Sequence, residues 1–536
     1  MAGEQEEGDS LGKRLAGDGL IGMSQVIPHV GSRLAAWWAR TRASSMRLGG
    51  RAPWFGKGFG LRRTLSVALA LFLLVYPLKL LLDWIDPLSL PSASKLQSER
   101  LSSQLAAPFY GNKQPRAQDH IAVVLIDQKT LEARGIAWPP RYDYYEEVLR
   151  RIVRQGPRAV YVDLLVTRKR EFDDSLGDAR LALGEDLEAH PVPVYFGTDK
   201  PGRPSLFHDV EGVSELVTVW QGVDYPLAVS PAQQLGALEG ASDRCDAGRE
   251  NWSVAYGLYH DACPQAGMAG CREPAALMAP AQACREIAVQ WGQRRPAGNA
   301  RLDELDGQHC LAASDPGFSR GASAVRWLWS GLAGKLVPRA AADPRVPCPY
   351  TLTVHEEQLD DPDVAALLHD RVVLVGADLV GLNDLAANPV NGQIPGVYVH
   401  AMALDNLMTW GRAHLSPVRH AWLASLLLAL FTSLLLAVVL RHAEHLGVGL
   451  AAAGLAIAFG PILVMHFWLR HPPVDWIGSL VVFAWVVFHA RDAILMPGAP
   501  ALATDDAAPA SAAIPVPPAT PAPPVQPVPS APGDLP

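Results

Sequence analysis

Apolar residues are concentrated in four long runs of the chain, at residues 64–82, 419–440, 446–468 and 474–490. A helix that crosses a bilayer needs roughly 20 apolar residues, so the first three runs are long enough and the fourth borrows length from its flanks. We therefore predict four transmembrane helices, the first of them an uncleaved anchor. A cleavable signal peptide is the alternative for the first run, but the 63 residues before it are too many for the segment that precedes a signal peptide's apolar core.

The segment between the first two spans, residues 83–418, alternates between strand patterns and helix patterns. Short runs of strand-forming residues read HIAVVLID at 120–127, RAVYVDLL at 158–165, VPVYFG at 192–197 and RVVLVGA at 371–377. Helical patterns lie between and after them, at 143–153, 172–189 and 396–410. Strands that alternate with helices at this spacing are typical of parallel βαβ units. The pattern predicts an α/β fold with a mainly parallel sheet.

The first of these helices has a distinctive approach, the stretch GIAWPPRYDYYEEV. Asp143 and Glu146 are spaced as a capping pair, which predicts a helix start at Asp143. The two prolines before it hold the chain extended and stiff, which would seat Trp138 against the domain and direct Arg141 toward acidic strand ends. Trp138 and Arg141 are therefore a structural wedge or, alternatively, part of a ligand site.

Residues 199–350 break the βαβ pattern and read as an insertion rich in Cys and Trp, with a helix at 274–293. All cysteines of the chain fall in it: Cys245, Cys263, Cys271, Cys284, Cys310 and Cys348. In an oxidising compartment these would form disulfides, which would stabilise an insertion whose own core is thin. Zinc is the alternative, but no C-x-x-C pair is present.

The charge near the spans predicts the topology. Residues 1–63 carry ten basic residues against five acidic ones, so this basic tail is expected in the cytoplasm. Four spans return the C-terminus to the same side and export residues 83–418, which describes a multi-pass protein of the bacterial inner membrane with a periplasmic domain. The lipid bilayer is then one partner, and a net charge of −8 without a basic stripe argues against nucleic acid.

The C-terminal tail, residues 497–536, is rich in Pro and Ala and cannot bury a core, so we expect it to be disordered. It is either a docking segment for a cytoplasmic partner or a tail without a role.

Candidate chemistry lies at the predicted carboxyl ends of the strands, where parallel sheets bind ligands. Asp127 and Asp163 occupy two such ends, and the loop after the late strand adds Gly376, Asn383 and Asp384. These residues form a candidate ligand site, or the aspartates instead cap helices and bond to loop backbone amides. His400 is expected to be structural. No G-x-S-x-G, P-loop, H-E-x-x-H, kinase or cyclase signature is present, so we expect no enzyme, no bound metal and no cofactor.

Two blocks of the sequence carry a resemblance to a known family. IAVVLID with ARGIAWPPRYDYYEEVLRRIVRQGPRAVYVDLL, in 119–198, and LHDRVVLVGADLVGLNDLAANPVNGQIPGVYVHAMALDNLM, in 368–410, are similar to the CHASE domain of type two. This family is a bacterial extracytoplasmic sensory module associated with cyclases and histidine kinases, with one anchor helix before the sensor and three spans after it. In its relatives an output domain usually follows, whereas here the Pro-rich tail stands in that place.

The resemblance implies a sensor that passes its signal to a protein partner in trans, with a homodimer as one arrangement. Two other functions remain open at this stage. One is a structural or assembly component of an envelope complex, with the Cys and Trp-rich insertion as its contact surface. The other is an exported metal-dependent hydrolase that uses the acidic strand ends.

Overall fold

The structure is a computed structural model that describes part of the chain. The described residues are 90–199, 203–218, 224–229, 248–279, 285–296, 349–379, 384–390, 392–417, 421–441, 446–472 and 475–481, with isolated residues in 65–81 and at 298 and 302. The predicted tails at 1–63 and 497–536 lie outside them, as do Asn383, Cys245, Cys284, Cys310 and Cys348.

A six-stranded sheet in the order β4-β3-β2-β8-β1-β7 forms the centre of the domain, and all its strand pairs are parallel. Its strands are β1 (Ile121–Asp127), β2 (Ala159–Val162), β3 (Val194–Thr198), β4 (Val213–Val217), β7 (Leu352–His355) and β8 (Val372–Asp378). Two antiparallel pairs complete the strands: β5 (Asp224–Pro226) with β6 (Glu286–Ala288), and β9 (Leu385–Asn388) with β10 (Gly392–Pro395). The predicted α/β class and mainly parallel sheet are confirmed.

Helices cover both faces of this sheet. The helix α1 (Leu90–Ala106) precedes the first strand, and the helices packed on the sheet are α2 (Gln128–Arg134), α3 (Tyr142–Val153), α4 (Leu176–Ala189), α5 (Val254–Ala262), α6 (Pro362–Leu368) and α7 (Val397–Trp410). Along β1 the side chains alternate between the two sides: Val124 and Ile126 pack with α3 and α4, whereas Val123 and Leu125 pack with α5 and α7. Burial on both faces explains why the strands read as continuous apolar runs.

The start of α3 differs from the prediction of a local capping pair. The helix begins at Tyr142 with Arg141 as its N-cap, and no side chain caps it from within the helix. A distant loop does so instead, because Asp173 Oδ2 accepts from the Tyr142 amide at 2.9 Å and Ser175 Oγ accepts from the Asp143 amide at 3.2 Å. The capping pair was therefore the wrong assignment, since acceptors far away in sequence satisfy these amides.

Two other helix predictions also need correction. The stretch predicted as helical from 172 starts at Leu176, because the residues before it form the capping loop. The helix predicted at 274–293 is instead a short 3-10 turn, Pro274–Met278, followed by β6. The backbone of β6 pairs with β5, and this pairing across the chain cannot be predicted from the local spacing of apolar residues.

The described part of the insertion centres on α5, which packs against α7. A disulfide joins Cys263 and Cys271, whose Cα atoms lie 5.2 Å apart. The other four cysteines lie outside the described residues, so a disulfide-rich insertion stays a prediction.

Two apolar helices follow the domain: α8 (Ala421–Arg441) and α9 (Leu446–Pro461), which continues as a π-helix over Ile462–Leu469. Within the described ranges, one helical stretch, Ala452–Leu469, is long and apolar enough to cross a membrane, and Trp422–Val438 is apolar but shorter. The runs at 64–82 and 474–490 are described only in part, and the count of four spans stays a prediction.

Candidate functional site

Aspartates stand at the carboxyl ends of three neighbouring strands. Asp127 and Asp378 end β1 and β8 and are register partners, and Asp163 follows β2, where its amide donates to the Val375 carbonyl at 2.8 Å. The predicted acidic edge is therefore present. Its side chains divide into two groups, each with its own histidine.

The first group consists of Asp127, His355 and Asp378. Asp127 Oδ1 accepts from the Thr130 amide at 2.7 Å and so caps α2, and its Oδ2 lies 2.7 Å from His355 Nδ1. Burial acts to raise the pKa of Asp127, but the hydrogen bonds from His355 and Thr130 outweigh it and hold the pKa well below its usual value. Burial and the neighbouring Asp127 charge raise the pKa of Asp378. Asp127 thus has the helix-capping role that was the alternative to ligand binding.

The second group is built around Asp163 and His400. The Tyr161 hydroxyl donates to Asp163 Oδ1 at 2.9 Å, and His400 Nε2 lies 3.5 Å from the same oxygen. On its other side His400 Nδ1 lies 2.7 Å from the Tyr225 hydroxyl, which already accepts from the Ala255 amide at 3.1 Å. The Tyr225 hydroxyl therefore donates its hydrogen bond to Nδ1 of His400. This favours the tautomer that carries its proton on Nε2, facing Asp163. His400 is buried, with a hydrogen bond on one side and a carboxylate on the other, as a structural histidine is.

Asp384 stands beside this second group. Its backbone carbonyl accepts from the Gly396 amide at 2.8 Å, at the start of α7. Burial of its carboxyl and the charge of Asp163 raise its pKa to about 6, and His400 acts in the opposite direction. A Cβ at Gly396 would lie 2.6 Å from Asp384 Oδ1, so this glycine makes room for the carboxylate.

Gly376 has a packing role in the structure. A Cβ at this position would lie 2.5 Å from Val397 Cγ1 and 2.6 Å from Val397 Cβ. Its lack of a side chain therefore lets the first turn of α7 approach β8 closely.

Trp138 and Arg141 lie apart from both groups. Trp138 is partly buried and packs against the core on the α3 side of the sheet, as a wedge would. Arg141 does not reach the strand ends: its guanidinium pairs with Asp143 and Asp174, at 3.2 Å in each case, and its side chain is 55% exposed. Arg170 instead secures the approach, because it donates to the Pro140 carbonyl and stacks 4.6 Å from the centroid of the Tyr142 ring.

Sequence patterns missed His355, Asp378 and Tyr225, which complete the two groups. The partners of His355 and Tyr225 stand 228 and 175 residues away along the chain, and no local spacing indicates such pairs. Asp378 ends a predicted strand and had the same positional signal as Asp127. Among the described residues no cluster of three His, Cys, Asp or Glu side chains is suited to hold a metal ion.

A second region of interest is the junction between α1 and the apolar helices. Leu101 and Leu105 pack with residues of three later segments: Leu428, Ile462 and Trp476. Polar contacts run beside them, where Ser98 Oγ accepts from the Ile477 amide at 3.2 Å and the Trp476 indole donates to Ser102 Oγ at 3.2 Å.

The other side of α1 contacts the α/β domain. Gln104 Nε2 donates to the Pro389 carbonyl, in the turn between β9 and β10, at 2.6 Å. The helix after the first apolar run thus touches both the domain and the ends of the later apolar helices.

A family model described as the CHASE2 domain matches residues 68–439. Neither the curated proteins nor the solved structures include a match to the chain.

Proposed function

The chain belongs to the CHASE2 domain family, an extracytoplasmic sensory module, and on that premise we propose that it is an inner-membrane sensor that relays an envelope cue to a protein partner. In this proposal the domain faces the periplasm, four spans hold it in the bilayer, both termini are cytoplasmic and disulfides stabilise the insertion. The protein acts as a binding and relay component and not as an enzyme. The output is assigned to a protein partner in trans, and a homodimer is taken as the relay unit.

The observation that carries the proposal is the position of α1. It contacts the domain through Gln104 and the apolar helices through Leu101, Leu105 and Ser102. A shift of the domain would therefore displace α1 against three apolar segments at once. The cue can drive such a shift only by the difference between its affinities for the two conformations.

The strand-end groups support this reading less directly. Their carboxylates are engaged by histidines, tyrosines and backbone amides, which is the arrangement of groups that hold a fold together. A hydrolase that binds metal at this edge has no metal-binding cluster among the described side chains to support it.

The test is Trp476→Ala in the full chain, with Trp468→Ala as the matched control. Trp476 is 4% exposed in the junction, whereas Trp468 is 78% exposed on the apolar helix. In a deletion strain of the source bacterium, the wild-type gene and the control should restore the transcript profile of the parent. Trp476→Ala should reach the membrane at the wild-type level and fail to restore it. Full restoration by Trp476→Ala would reject a relay through this junction, and a deletion without any effect on transcripts across envelope stresses would reject the sensory role.

A further inference from the structure

Asp405 is a fully buried carboxyl on α7, at 2% exposure, in the part of the domain that leads to α8. The Tyr110 hydroxyl donates to its Oδ1, and the Thr409 hydroxyl lies 3.4 Å from the same atom. Its Oδ2 has no hydrogen-bond partner among the described residues. A buried carboxylate oxygen without a partner is costly when charged and tolerable when it carries a proton.

Tyr110 connects this carboxyl to the chain that follows α1. Its hydroxyl also accepts from Asn406 Nδ2 at 2.9 Å, and Asn406 is in turn held by the Gln290 backbone at 2.8 and 2.9 Å. The Tyr110 ring packs edge-on against Trp410, 5.2 Å between centroids. Asp405 therefore joins the segment after the anchor to the last turns of α7.

Among the described residues, no cation acts on the carboxyl of Asp405 to balance its charge. Burial is the main cause that raises its pKa, to about 7; Asp119 adds to it, and the hydrogen bonds from Tyr110 and Thr409 oppose it. The remaining titratable neighbour is Tyr350, and Arg116 and Arg294 act on Tyr350. On the α5 side, which also packs on α7, the Tyr259 hydroxyl donates to the Gly270 carbonyl.

We propose that Asp405 is a proton-binding site through which envelope pH controls the docking of the α1 segment on α7. With its proton, Asp405 accepts a hydrogen bond from Tyr110 without bringing a charge into the core, and the Tyr110 segment stays docked on α7. Without the proton, an uncompensated carboxylate destabilises this contact, and the Tyr110 segment separates from α7. The link from this event to an output rests on the proposed relay function, but proton binding itself does not.

Other carboxyls, which lie where α1 meets β5, β6 and the apolar helix, respond to protons in the same direction. Glu99 on α1, Asp224 on β5 and Glu286 on β6 all have pKa values raised by burial, to about 6 for Asp224, and Lys95 is the cation that lowers those of Glu99 and Asp224. His466 from the apolar helix lines the cavity that Glu99 and Asp224 share. These groups add a second proton-dependent component, which the experiment must separate from that of Asp405.

The sign of the effect follows from the raised pKa. A group that binds its proton more tightly in the folded state stabilises it fully below the unfolded pKa, near 4, and this contribution is lost as the pH rises through about 7. Asp405→Asn keeps an acceptor for Tyr110 and removes the ionisation. The variant should therefore match the wild type in acid and exceed it above neutrality.

The experiment measures the melting temperature of the purified full chain in lipid nanodiscs between about pH 3.5, below the unfolded pKa, and about pH 9. Asp405→Asn should melt within error of the wild type at the acidic end and several degrees higher at the alkaline end. Asp174→Asn, which removes the same charge at a side chain that is 93% exposed, should track the wild type throughout. Asp224→Asn reports the second component, and its effect should add to that of Asp405→Asn.

Infrared difference spectra between the two ends of the range supply an independent readout. The wild type should show carbonyl bands of protonated carboxylic acids that disappear on alkalinisation, and Asp405→Asn should lack the component with the highest midpoint, near pH 7. Should Asp405→Asn fold poorly, Tyr110→Phe serves instead: loss of its hydrogen bond should move the midpoint of the infrared transition to higher pH. A melting difference that is constant with pH, or an infrared band unchanged by both variants, would overturn the proposal. Because the protein is tested without its partner, such a failure leaves the relay function untouched.

Discussion

Alanine at Gly376 should destabilise the domain, because the space for a side chain is already taken by α7. The new Cβ would lie 2.5 Å from Val397 Cγ1 and 2.6 Å from Val397 Cβ. Nonbonded carbon atoms normally stand about 3.5–4.0 Å apart, so β8 and α7 would have to separate by roughly 1 Å. Overpacking of this kind costs on the order of 1–3 kcal/mol.

The contact atoms also predict how far a second substitution can rescue the first. Val397→Ala removes the γ-methyl groups but leaves the Cβ at 2.6 Å, so the double variant Gly376→Ala with Val397→Ala should regain only part of the lost stability. Val397 is fully buried, and its truncation alone carries a cost of its own of about 1–3 kcal/mol.

The assay is thermal melting of the full chain in nanodiscs, with Gly184→Ala as the matched control. Gly184 lies inside α4, and its nearest neighbour to an added Cβ is Val210 Cγ1 at an ordinary 3.8 Å. Alanine there should be neutral or stabilising by up to about 1 kcal/mol, because glycine is a poor helix former. For a domain of this size, Gly376→Ala should lower the melting temperature by a few degrees.

A result in which Gly376→Ala and Gly184→Ala melt alike would refute the packing argument. If Gly376→Ala were as stable as the wild type and yet failed to restore the transcript profile, Gly376 would be needed for the approach of a ligand, as the sequence pattern first suggested. The two outcomes separate a packing role from a binding role at the same residue.

Two further predictions concern aspartates with defined partners. Asp127→Asn should lower the free energy of unfolding by on the order of 1–2 kcal/mol near neutral pH, because its bonds to His355 and Thr130 are weakened. Since the pKa of Asp127 is depressed, this loss of stability should fade as the pH falls below about 4, and a loss that persists in acid would contradict the assignment. Asp173→Ala should cost about 1–3 kcal/mol by uncapping α3, whereas Asp174→Ala next to it should cost less than about 0.5 kcal/mol in the same melting assay; equal costs would show that the capping loop does not hold the helix.

The parallel sheet could be predicted because its strands are buried on both faces. β1, β2, β3 and β8 have unbroken apolar runs, and the βαβ spacing of the first three indicates parallel pairing. β4 and β7 were missed because they stand at the two edges of the sheet. Their sequences, VSELV and LTVH, include polar positions, so no continuous run marks them.

The contacts that define the sites were beyond the reach of a single sequence. The acidic strand ends were visible, since strand and turn patterns show where each strand stops. The partner of Asp127 was not visible, because His355 lies 228 residues away along the chain. The contact of Tyr110 with Asp405 spans 295 residues and was hidden for the same reason. The same reason explains the start of α3, where Asp143 looked like a local cap but the acceptor came from a loop about 30 residues later.

The two sets of acidic residues differ in how their charge is compensated, and this difference suggests where the molecule is sensitive. At the strand ends, Asp127 and Asp163 each have a histidine partner and accept a hydrogen bond from a backbone amide or a tyrosine, so each carboxylate has compensating contacts in the fold. On α7, Asp405 lacks a partner for Oδ2 among the described residues, and burial together with the like charge of Asp119 raises its pKa.

A conformational equilibrium responds to a cue only where the two states differ in free energy of binding it. Asp127 loses its proton well below neutral pH because its pKa is depressed, whereas the buried Asp405 on α7, with a pKa of about 7, exchanges its proton near neutral pH. On this reasoning, the position that most readily converts a chemical change outside the membrane into movement of the anchor is the Asp405 junction and not the edge of the sheet.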